Sequence, residues 1–479
     1  MRKNVFCKRY NLLLTKRLEH LWHRACGQIS CQTKTIFSKL LTLIPTSIPD
    51  SFRKKTSHFS RERKLPFSKL IVFILSISCN GKHKGIDGKL GEFFKHASLN
   101  GLWPDATTIH RSAITKARKK IPWKIFENIF HDAVSIAYEI WPDDPIYTWH
   151  GRSVYAIDGS KHTLPATPEL RKKYDPKSRF ENGRSHYPKC LVSTAYDVFR
   201  QIPIARVIAP SYTSERDEAL KLLHHVPAEG IIIFDRGYPG FGFIRQLMLD
   251  YAGHFLIRCP ATNTFPAIEE FIQSDKDDEI LLLKPTRDFL NGNRNLKNSP
   301  DLKAIKVRCI KLVSPDGTVS VLLTDMYNSK EYSKTEITNL YYKRWEAEVR
   351  YRDEKQSCEI ETFHSRSENG ILQEFFAMLI LCVISRLVMA QCGVSETDKC
   401  YVAPQFKNCI ISVANTAAML VPQNSQQAAI IFEKLLVEIA KVRYYRPKIP
   451  KPPQIRVCKR PVNKWILGRK NKVIYAGTA

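Results

Sequence analysis

Residues Tyr341–Lys355, with the sequence YYKRWEAEVRYRDEK, form the stretch on which the interpretation of this chain depends. If they form one helix, an advance of about 100° per residue places Tyr341, Arg344, Glu348 and Lys355 within about 60° of one another. The sequence therefore predicts a helix with one polar stripe, on which a single acid stands between two cations and a phenol. A solvated surface helix also mixes charges at this spacing, so the helix alone leaves both interpretations open.

The sequence before this helix contains two aspartates that are predicted to lie at the ends of strands. Short β-rich or apolar runs predict strands at 154–158, 189–198, 202–208 and 230–235, with a helix at 214–223 before the last of them. The run GIIIFD is continuous and apolar, which is typical of a strand buried on both faces. Asp158 would end the first strand and Asp235 the fourth. Taken singly, Asp158-Gly159 is also typical of a turn and Asp235 of a helix cap.

The three acids together favour a site for divalent cations. Mg²⁺ and Mn²⁺ prefer carboxylate oxygens, and two such ions can assist an in-line displacement at a phosphodiester. Asp158, Asp235 and Glu348 are therefore the predicted catalytic and metal-binding residues, with two Mg²⁺ ions as the cofactor and Mn²⁺ as a substitute.

The remaining pattern predicts an α/β fold in four parts. These are a basic arm at 1–64, a helical DNA-binding domain at 65–145, a catalytic domain at 146–390 and a C-terminal helical region with a basic tail at 391–479. Within the catalytic domain we expect a five-stranded mixed sheet with flanking helices, interrupted by a β-rich insertion at about 259–332. After the insertion, Ser333 and Glu336 have capping-box spacing and would start the glutamate helix.

The charge distribution predicts a polyanionic partner. The net charge is +29, of which residues 1–64 and 439–479 together carry +24. Such basic ends bind phosphate backbones without sequence preference. A membrane surface is the alternative, but the two longest apolar runs in the sequence are ten residues each, too short to span a bilayer. Because no secretory signal pattern follows the N-terminus, we expect a cytosolic protein with access to double-stranded DNA.

Three further features bear on binding. A helix beginning at Asp105 would carry Arg111, Arg118 and Lys119 on a basic face that either contacts DNA or is simply solvated. The 13 cysteines contain no C-x-x-C pair, which indicates reduced thiols. A cluster formed by His20, His23, Cys26 and Cys31 has spacing compatible with zinc, although an amphipathic basic helix is the favoured interpretation.

The chain resembles DDE transposases of bacterial insertion sequences. Tyr341, Arg344, Glu348 and Lys355 match, position for position, the Tyr-x2-Arg-x3-Glu-x6-Lys signature of the insertion-sequence-four branch, also called the YREK branch. The segments YAIDGS around Asp158 and IFDRGY around Asp235 are similar to its two aspartate motifs. The β-rich insertion and a similarity over roughly residues 65–389 fit the same branch.

The resemblance implies an RNase H-like catalytic core with two Mg²⁺ ions held by the three acids. It implies cleavage at the element ends, attack of the freed 3′-hydroxyl on target DNA, and contacts from Tyr341, Arg344 and Lys355 to the element-end DNA. It also implies that the N-terminal domain reads terminal inverted repeats and that two protomers assemble on two ends. A DNA-binding repressor that no longer cuts, and a nuclease without strand transfer, are the alternatives.

Overall fold

The computed structural model describes residues 29–53, 55–60, 64–79, 85–176, 187–294, 302–313, 317–352, 354–355, 358–393, 395–396 and 400–447. Outside the described residues lie His20, His23 and Cys26 of the candidate zinc cluster, half of the N-terminal arm and the tail beyond Pro447.

The described helices are numbered in chain order. They are α1 (Ile29–Thr42), α2 (Phe67–Ile77), α3 (Ile86–Leu99), α4 (Arg111–Arg118), α5 (Lys124–Ile140), α6 (Pro168–Tyr174), α7 (Glu215–Leu222), α8 (Phe241–Asp250), α9 (Pro266–Gln273), α10 (Arg287–Gly292), α11 (Lys334–Tyr342), α12 (Trp345–Arg352), α13 (Glu368–Gln391), α14 (Phe406–Asn415) and α15 (Ser425–Lys441).

The strands are numbered in the same way. They are β1 (Val154–Thr163), β2 (Lys189–Asp197), β3 (Ile202–Pro210), β4 (Ile231–Phe234), β5 (His254–Pro260), β6 (Asp278–Leu283), β7 (Ile305–Val313), β8 (Val319–Thr324), β9 (Ser395–Glu396), β10 (Cys400–Pro404) and β11 (Arg443–Pro447).

The main sheet has eight strands in the order β3-β2-β1-β4-β5-β8-β7-β6. Strand β1 is antiparallel to β2 and parallel to β4, and β4 is parallel to β5. All four residues of β4 are buried, as expected of a central strand that is covered on both faces. The predicted order of three strands, a helix and a fourth strand is confirmed.

The main sheet is larger than the predicted five strands, because the strands of the predicted β-rich insertion join it. Strand β8 pairs antiparallel with β5, and β7 and β6 continue outward from it, so the insertion extends the same sheet. The insertion joins the sheet because β8 has one side paired with β7 and the other side free to form backbone hydrogen bonds with the edge of β5. Five central strands and three inserted strands thus share one mixed α/β layer.

Helix α13 lies at the centre of the helical part of the fold. It packs against α5, α14 and α2, and also contacts β3. By length and composition alone its 24 residues could cross a membrane, but nearly all of its side chains are buried inside the protein. This helix is therefore a core helix of the protein.

The segment between α5 and β1, where the predicted domain boundary lies, is held to the sheet by a buried arginine. The Arg200 guanidinium donates to the carbonyl oxygens of Trp141 and Pro142 at 2.8 and 3.0 Å, and to Asp143 Oδ1 at 2.8 Å. It also forms an ion pair with the fully buried Asp197 at 3.0 Å. These contacts hold the segment in one position, while the domain boundary drawn there stays a prediction.

The basic helix is shorter than the sequence pattern indicates. It begins at Arg111 rather than Asp105, because the side chain of His110 accepts the backbone N–H of Ser112 and caps the helix there. At the other end of the described chain, β11 pairs with β10 in a small three-stranded sheet.

Candidate functional site

Two aspartates stand side by side on neighbouring parallel strands. The pairing of β1 with β4 runs through Val154–Ile231 and Ala156–Ile233, and extending that register by two residues sets Asp158 opposite Asp235. Neighbouring strands lie about 4.8 Å apart. Asp158 on β1 and Asp235, which directly follows β4, therefore lie close to each other across this strand pair. The predicted strand end at Asp158 is wrong, because β1 continues to Thr163 through its pairing with β2.

The segment that carries the third acid is not one continuous helix. A capping box between Ser333 and Glu336 starts α11, as predicted, but α11 ends at Tyr342. The backbone N–H of Arg344 donates to the carbonyl of Tyr341 at 3.0 Å, a three-residue spacing that tightens the chain before α12 begins. The prediction of a single helix over Tyr341–Lys355 is therefore wrong, and the stripe is assembled from three backbone pieces.

Helix α12 lies across β1, and one tyrosine ties the two together. The hydroxyl of Tyr351 donates to the carbonyl oxygen of Asp158 at 2.7 Å, and lies 3.3 Å from the carbonyl oxygen of Val192. Ala347, on the same helix, packs into the apolar cluster over this face of the sheet. Glu348 is thereby carried on a helix that is bonded to the backbone of the first aspartate.

Arg344 neutralises charge inside the acidic site. Its Nη2 donates to Glu348 Oε1 at 2.5 Å, and its guanidinium lies 5.8 Å from the ring centroid of the buried Tyr341. Burial opposes its charge, but Tyr341, Glu348 and Asp235 together raise the pKa of Arg344. The arginine is a fixed cation among the acids.

The protonation of Asp158 reports on the whole site. Burial, with smaller contributions from the negative charges of Asp235 and Glu348, raises the pKa of the Asp158 carboxyl to about 7 against the opposing charge of Arg344. The three acids, distant in sequence, therefore lie close enough to influence one another electrostatically.

Lys355, the last residue of the signature, is docked on β1. Its Nζ donates to Ser160 Oγ at 2.6 Å and to the carbonyl oxygen of Lys161 at 2.7 Å. Burial lowers the pKa of Lys355. In this conformation the lysine holds the end of the glutamate segment against the strand that carries Asp158.

The acids have the chemistry of a divalent-cation site, but they are not closed around one. Among the residues that the structure describes, no three His, Cys, Asp or Glu side chains form a ready metal-binding group. The donors are hard carboxylates, and burial with mutual repulsion raises the pKa of Asp158. A divalent cation among Asp158, Asp235 and Glu348 would relieve that repulsion, so the residues fit such an ion once Glu348 exchanges Arg344 for it.

The predicted DNA contacts are placed differently from one another. Arg344 and Tyr341 are buried within the site, whereas Arg111 and Lys119 are exposed on α4. Arg118 is 6 % exposed, and its Nη1 forms an ion pair with buried Glu374 at 2.9 Å. Arg118 is therefore a core residue that joins α4 to α13, and we remove it from the set of DNA contacts.

Two site residues were missed by the sequence interpretation, Tyr351 and Arg206. On an ideal helix Tyr351 falls at about 280°, beside the predicted stripe, so its azimuth contained a usable signal. Arg206 lies on β3 and bonds to Glu354 just after α12. No local pattern distinguishes it from an ordinary charged strand residue.

Comparisons with a family model and with known proteins all match transposases. The family model described as the transposase DDE domain matches residues 149–384. Transposase InsG for insertion sequence element IS4, from Escherichia coli K12, is 24% identical over 334 residues, covering 69% of this chain and 71% of that protein. Putative transposase InsZ from the same strain is 30% identical over 128 residues, covering 26% and 42% respectively.

Among solved structures, the piggyBac transposase in a synaptic complex with hairpin DNA aligns with 92% of this chain and 89% of its own. The identity is 10% and the TM-score 0.40, and a similarity of that size carries no argument about the fold.

Proposed function

This chain belongs to the DDE transposases of bacterial insertion sequences, and from that membership we propose that it moves its own element by cutting and joining DNA. It binds the terminal inverted repeats, cleaves DNA at the element ends and joins the 3′-hydroxyl ends to target DNA. The observation that carries the proposal is geometric: Asp158 on β1 lies level with Asp235 directly after β4, and the helix that carries Glu348 is bonded to the Asp158 backbone through Tyr351.

In the proposed site, Asp158, Asp235 and Glu348 hold two Mg²⁺ ions, which Mn²⁺ can replace. Such ions, when bound, stabilise the attacking and leaving oxygens of an in-line displacement at phosphorus. The sheet sets the separation of the two aspartates, and α12 brings the glutamate to them. The half-buried position of Asp158 limits water at the carboxylates.

Arg344 and Lys355 are the proposed contacts to element-end DNA. A guanidinium can grip phosphate through two hydrogen bonds and an ammonium as a point charge. A cation held by Glu348 would replace Arg344 as its partner, and the guanidinium would then be available to the phosphate beside the cleaved bond. The buried ring of Tyr341 packs beside the Arg344 guanidinium and supports it.

The wider architecture follows from the same proposal. The order β3-β2-β1-β4-β5, with β2 and β3 antiparallel and β4 and β5 parallel to β1, supports an RNase H-like core within 146–390. The helical domain at 65–145 would bind inverted repeats through the exposed Arg111 and Lys119. The active assembly is a homodimer on two ends, in the bacterial cytosol, and the protein is assigned to the YREK branch.

The test is cleavage of a DNA substrate that carries the element's own ends. With Mg²⁺ the wild-type protein should cut at the ends, and Asp158→Ala, Asp235→Ala and Glu348→Ala should each lose more than about a hundredfold in rate. All three variants should still bind the ends in a mobility-shift assay. Cleavage at the wild-type rate in all three would remove these acids from the mechanism.

A repressor that binds without cutting is the second candidate. It is favoured by the Arg344–Glu348 ion pair, which ties up one of the three acids. Footprints on the inverted repeats with no product in Mg²⁺ or Mn²⁺ would support it. Magnesium-dependent nicking would reject it, and joined products in a plasmid assay would separate a transposase from a simple nuclease.

A further inference from the structure

A second arginine–glutamate pair lies six residues beyond Glu348. Arg206 Nη2 donates to both carboxylate oxygens of Glu354 at 2.8 Å each. Both residues are 5 % exposed. Two hydrogen bonds from one buried nitrogen to both oxygens constrain the glutamate more tightly than a surface ion pair does.

The arginine stands in the same row of the sheet as the first aspartate. Asp158 pairs with Thr194 across β1 and β2, and Thr194 pairs with Arg206 across β2 and β3. Residues paired across a sheet point to the same face, so all three lie beneath the glutamate segment. Arg206 Nε also donates to Thr194 Oγ1 at 3.0 Å, which fixes the guanidinium along this row.

The glutamate segment needs such contacts because its backbone gives it little support. Helix α12 has only eight residues, follows a tight turn and runs into a π-helical turn at Glu354 and Lys355. A helix of this length is marginal without tertiary contacts. Tyr351 holds one end of the row through the carbonyl oxygen of Asp158, and Glu354 holds the other end through Arg206.

From these contacts we infer that Arg206 and Glu354 are a positioning pair, which sets where Glu348 stands relative to Asp158. The inference rests on the function proposed above, because it assigns the pair a purpose in forming the cation site. Neither residue touches a cation or DNA in this role. They act through α12, which carries Glu348 and is followed directly by the turn that contains Glu354.

Stability alone does not account for this pair. Replacing a buried ion pair by apolar residues of similar volume is often neutral or stabilising, because two charges must first be removed from water. What the pair supplies is direction, since the guanidinium that holds Glu354 through Nη2 is itself fixed along the sheet by the hydrogen bond from Nε to Thr194 Oγ1.

The experiment measures affinity for Mn²⁺ by titration calorimetry on the full-length protein, well below the unfolding temperature of each variant. Glu354→Gln keeps the side-chain shape and removes the charge, and we expect about 10- to 100-fold weaker Mn²⁺ binding, as for other residues that orient metal ligands. Cleavage of element-end DNA should fall in parallel.

The matched control is Asp278→Asn, which breaks another bidentate pair in the same sheet. Arg308 donates to Asp278 through Nε at 2.8 Å and Nη2 at 2.6 Å. Strand β6 lies five strands from β1, about 24 Å at about 4.8 Å per strand. This variant should lose thermal stability and keep Mn²⁺ affinity within about twofold of wild type.

A second variant guards against misfolding of Glu354→Gln. Arg206→Lys keeps the charge but lacks the second nitrogen that donates to Thr194 Oγ1, so we expect a smaller loss of Mn²⁺ affinity with the fold retained. Wild-type affinity in both variants would overturn the positioning role. If the wild-type protein itself neither binds Mn²⁺ nor cleaves DNA, the proposed function fails. That result differs from failure of the positioning role, in which the wild-type protein is active and both variants match it.

Discussion

Asp158 and Asp235 stand on hydrogen-bonded neighbouring strands, whereas Glu348 stands on an eight-residue helix bounded by a tight turn and a π-helical turn. Backbone pairing fixes the first two acids, which form the sheet half of the site. Side-chain contacts from Tyr351, Glu354 and Lys355 fix the third, which forms the helix half.

This difference separates stability from activity. The sheet half cannot shift without breaking the core of the protein, because residues 231–234 are fully buried. The helix half can shift by losing a few contacts, because α12 adds little to the core beyond Ala347 and Tyr351. Damage to the first should appear as unfolding, and damage to the second as lost cleavage in a folded protein.

The largest expected effect comes from breaking the sheet half. Ile233 is fully buried beside Ala156, so Ile233→Ala should reduce the free energy of unfolding by about 2–5 kcal/mol through lost burial and the cavity left behind. Chemical denaturation measures this change. At a temperature where the variant is folded, its cleavage rate should stay near that of the wild type. A large loss of cleavage there would contradict the separation of stability from activity.

A smaller effect on the sheet half depends on pH. His162 on β1 is fully buried, and burial, with the charges of Lys355 and Arg206, holds its pKa well below 6.5. The unfolded chain therefore binds a proton that the folded protein does not, and stability contributed by neutral His162 is lost as pH falls below about 6.5. The slope is at most about 1.4 kcal/mol per pH unit for one proton.

The non-titrating variant His162→Leu checks this expectation. Denaturation at pH 7.5, 6.5 and 5.5 should show a shallower decline for the variant than for the wild-type protein. Identical slopes would mean that His162 remains protonated inside the fold or that other groups dominate.

The helix half should respond to a single hydroxyl. Tyr351→Phe removes the hydrogen bond to the carbonyl oxygen of Asp158, at a cost of about 1 kcal/mol in unfolding free energy. We expect cleavage to fall by about tenfold or more in the folded variant, because α12, which carries Glu348, loses one of its contacts to β1. Wild-type cleavage rates would show that the other contacts suffice.

The smallest effect should come from outside both halves. Lys119 is exposed on α4, so Lys119→Ala should change the unfolding free energy by less than about 0.5 kcal/mol. If Lys119 contacts phosphate, the variant should bind DNA more weakly and lower the salt slope of binding by about 1. An unchanged slope would place α4 away from DNA.

Local pattern was enough to predict the central strands and the capping box before α11. Each of these depends on a short run of side chains, such as the unbroken apolar residues of β4. Two residues of the predicted stripe, Arg344 and Glu348, form an ion pair in the structure. Lys355, the last residue of the stripe, contacts β1. The break after Tyr342 was not predictable, because the residues there are all ordinary helix formers.

The sequence by itself determined which acids could act and in what order their strands and helices occur, since residue type and periodicity are local properties. Only the tertiary structure decided that the insertion extends the sheet, that Arg118 belongs to the core and that Arg206 meets Glu354. Those outcomes depend on pairing between residues far apart in the chain, and a charged side chain carries no local mark of the partner it will be buried with.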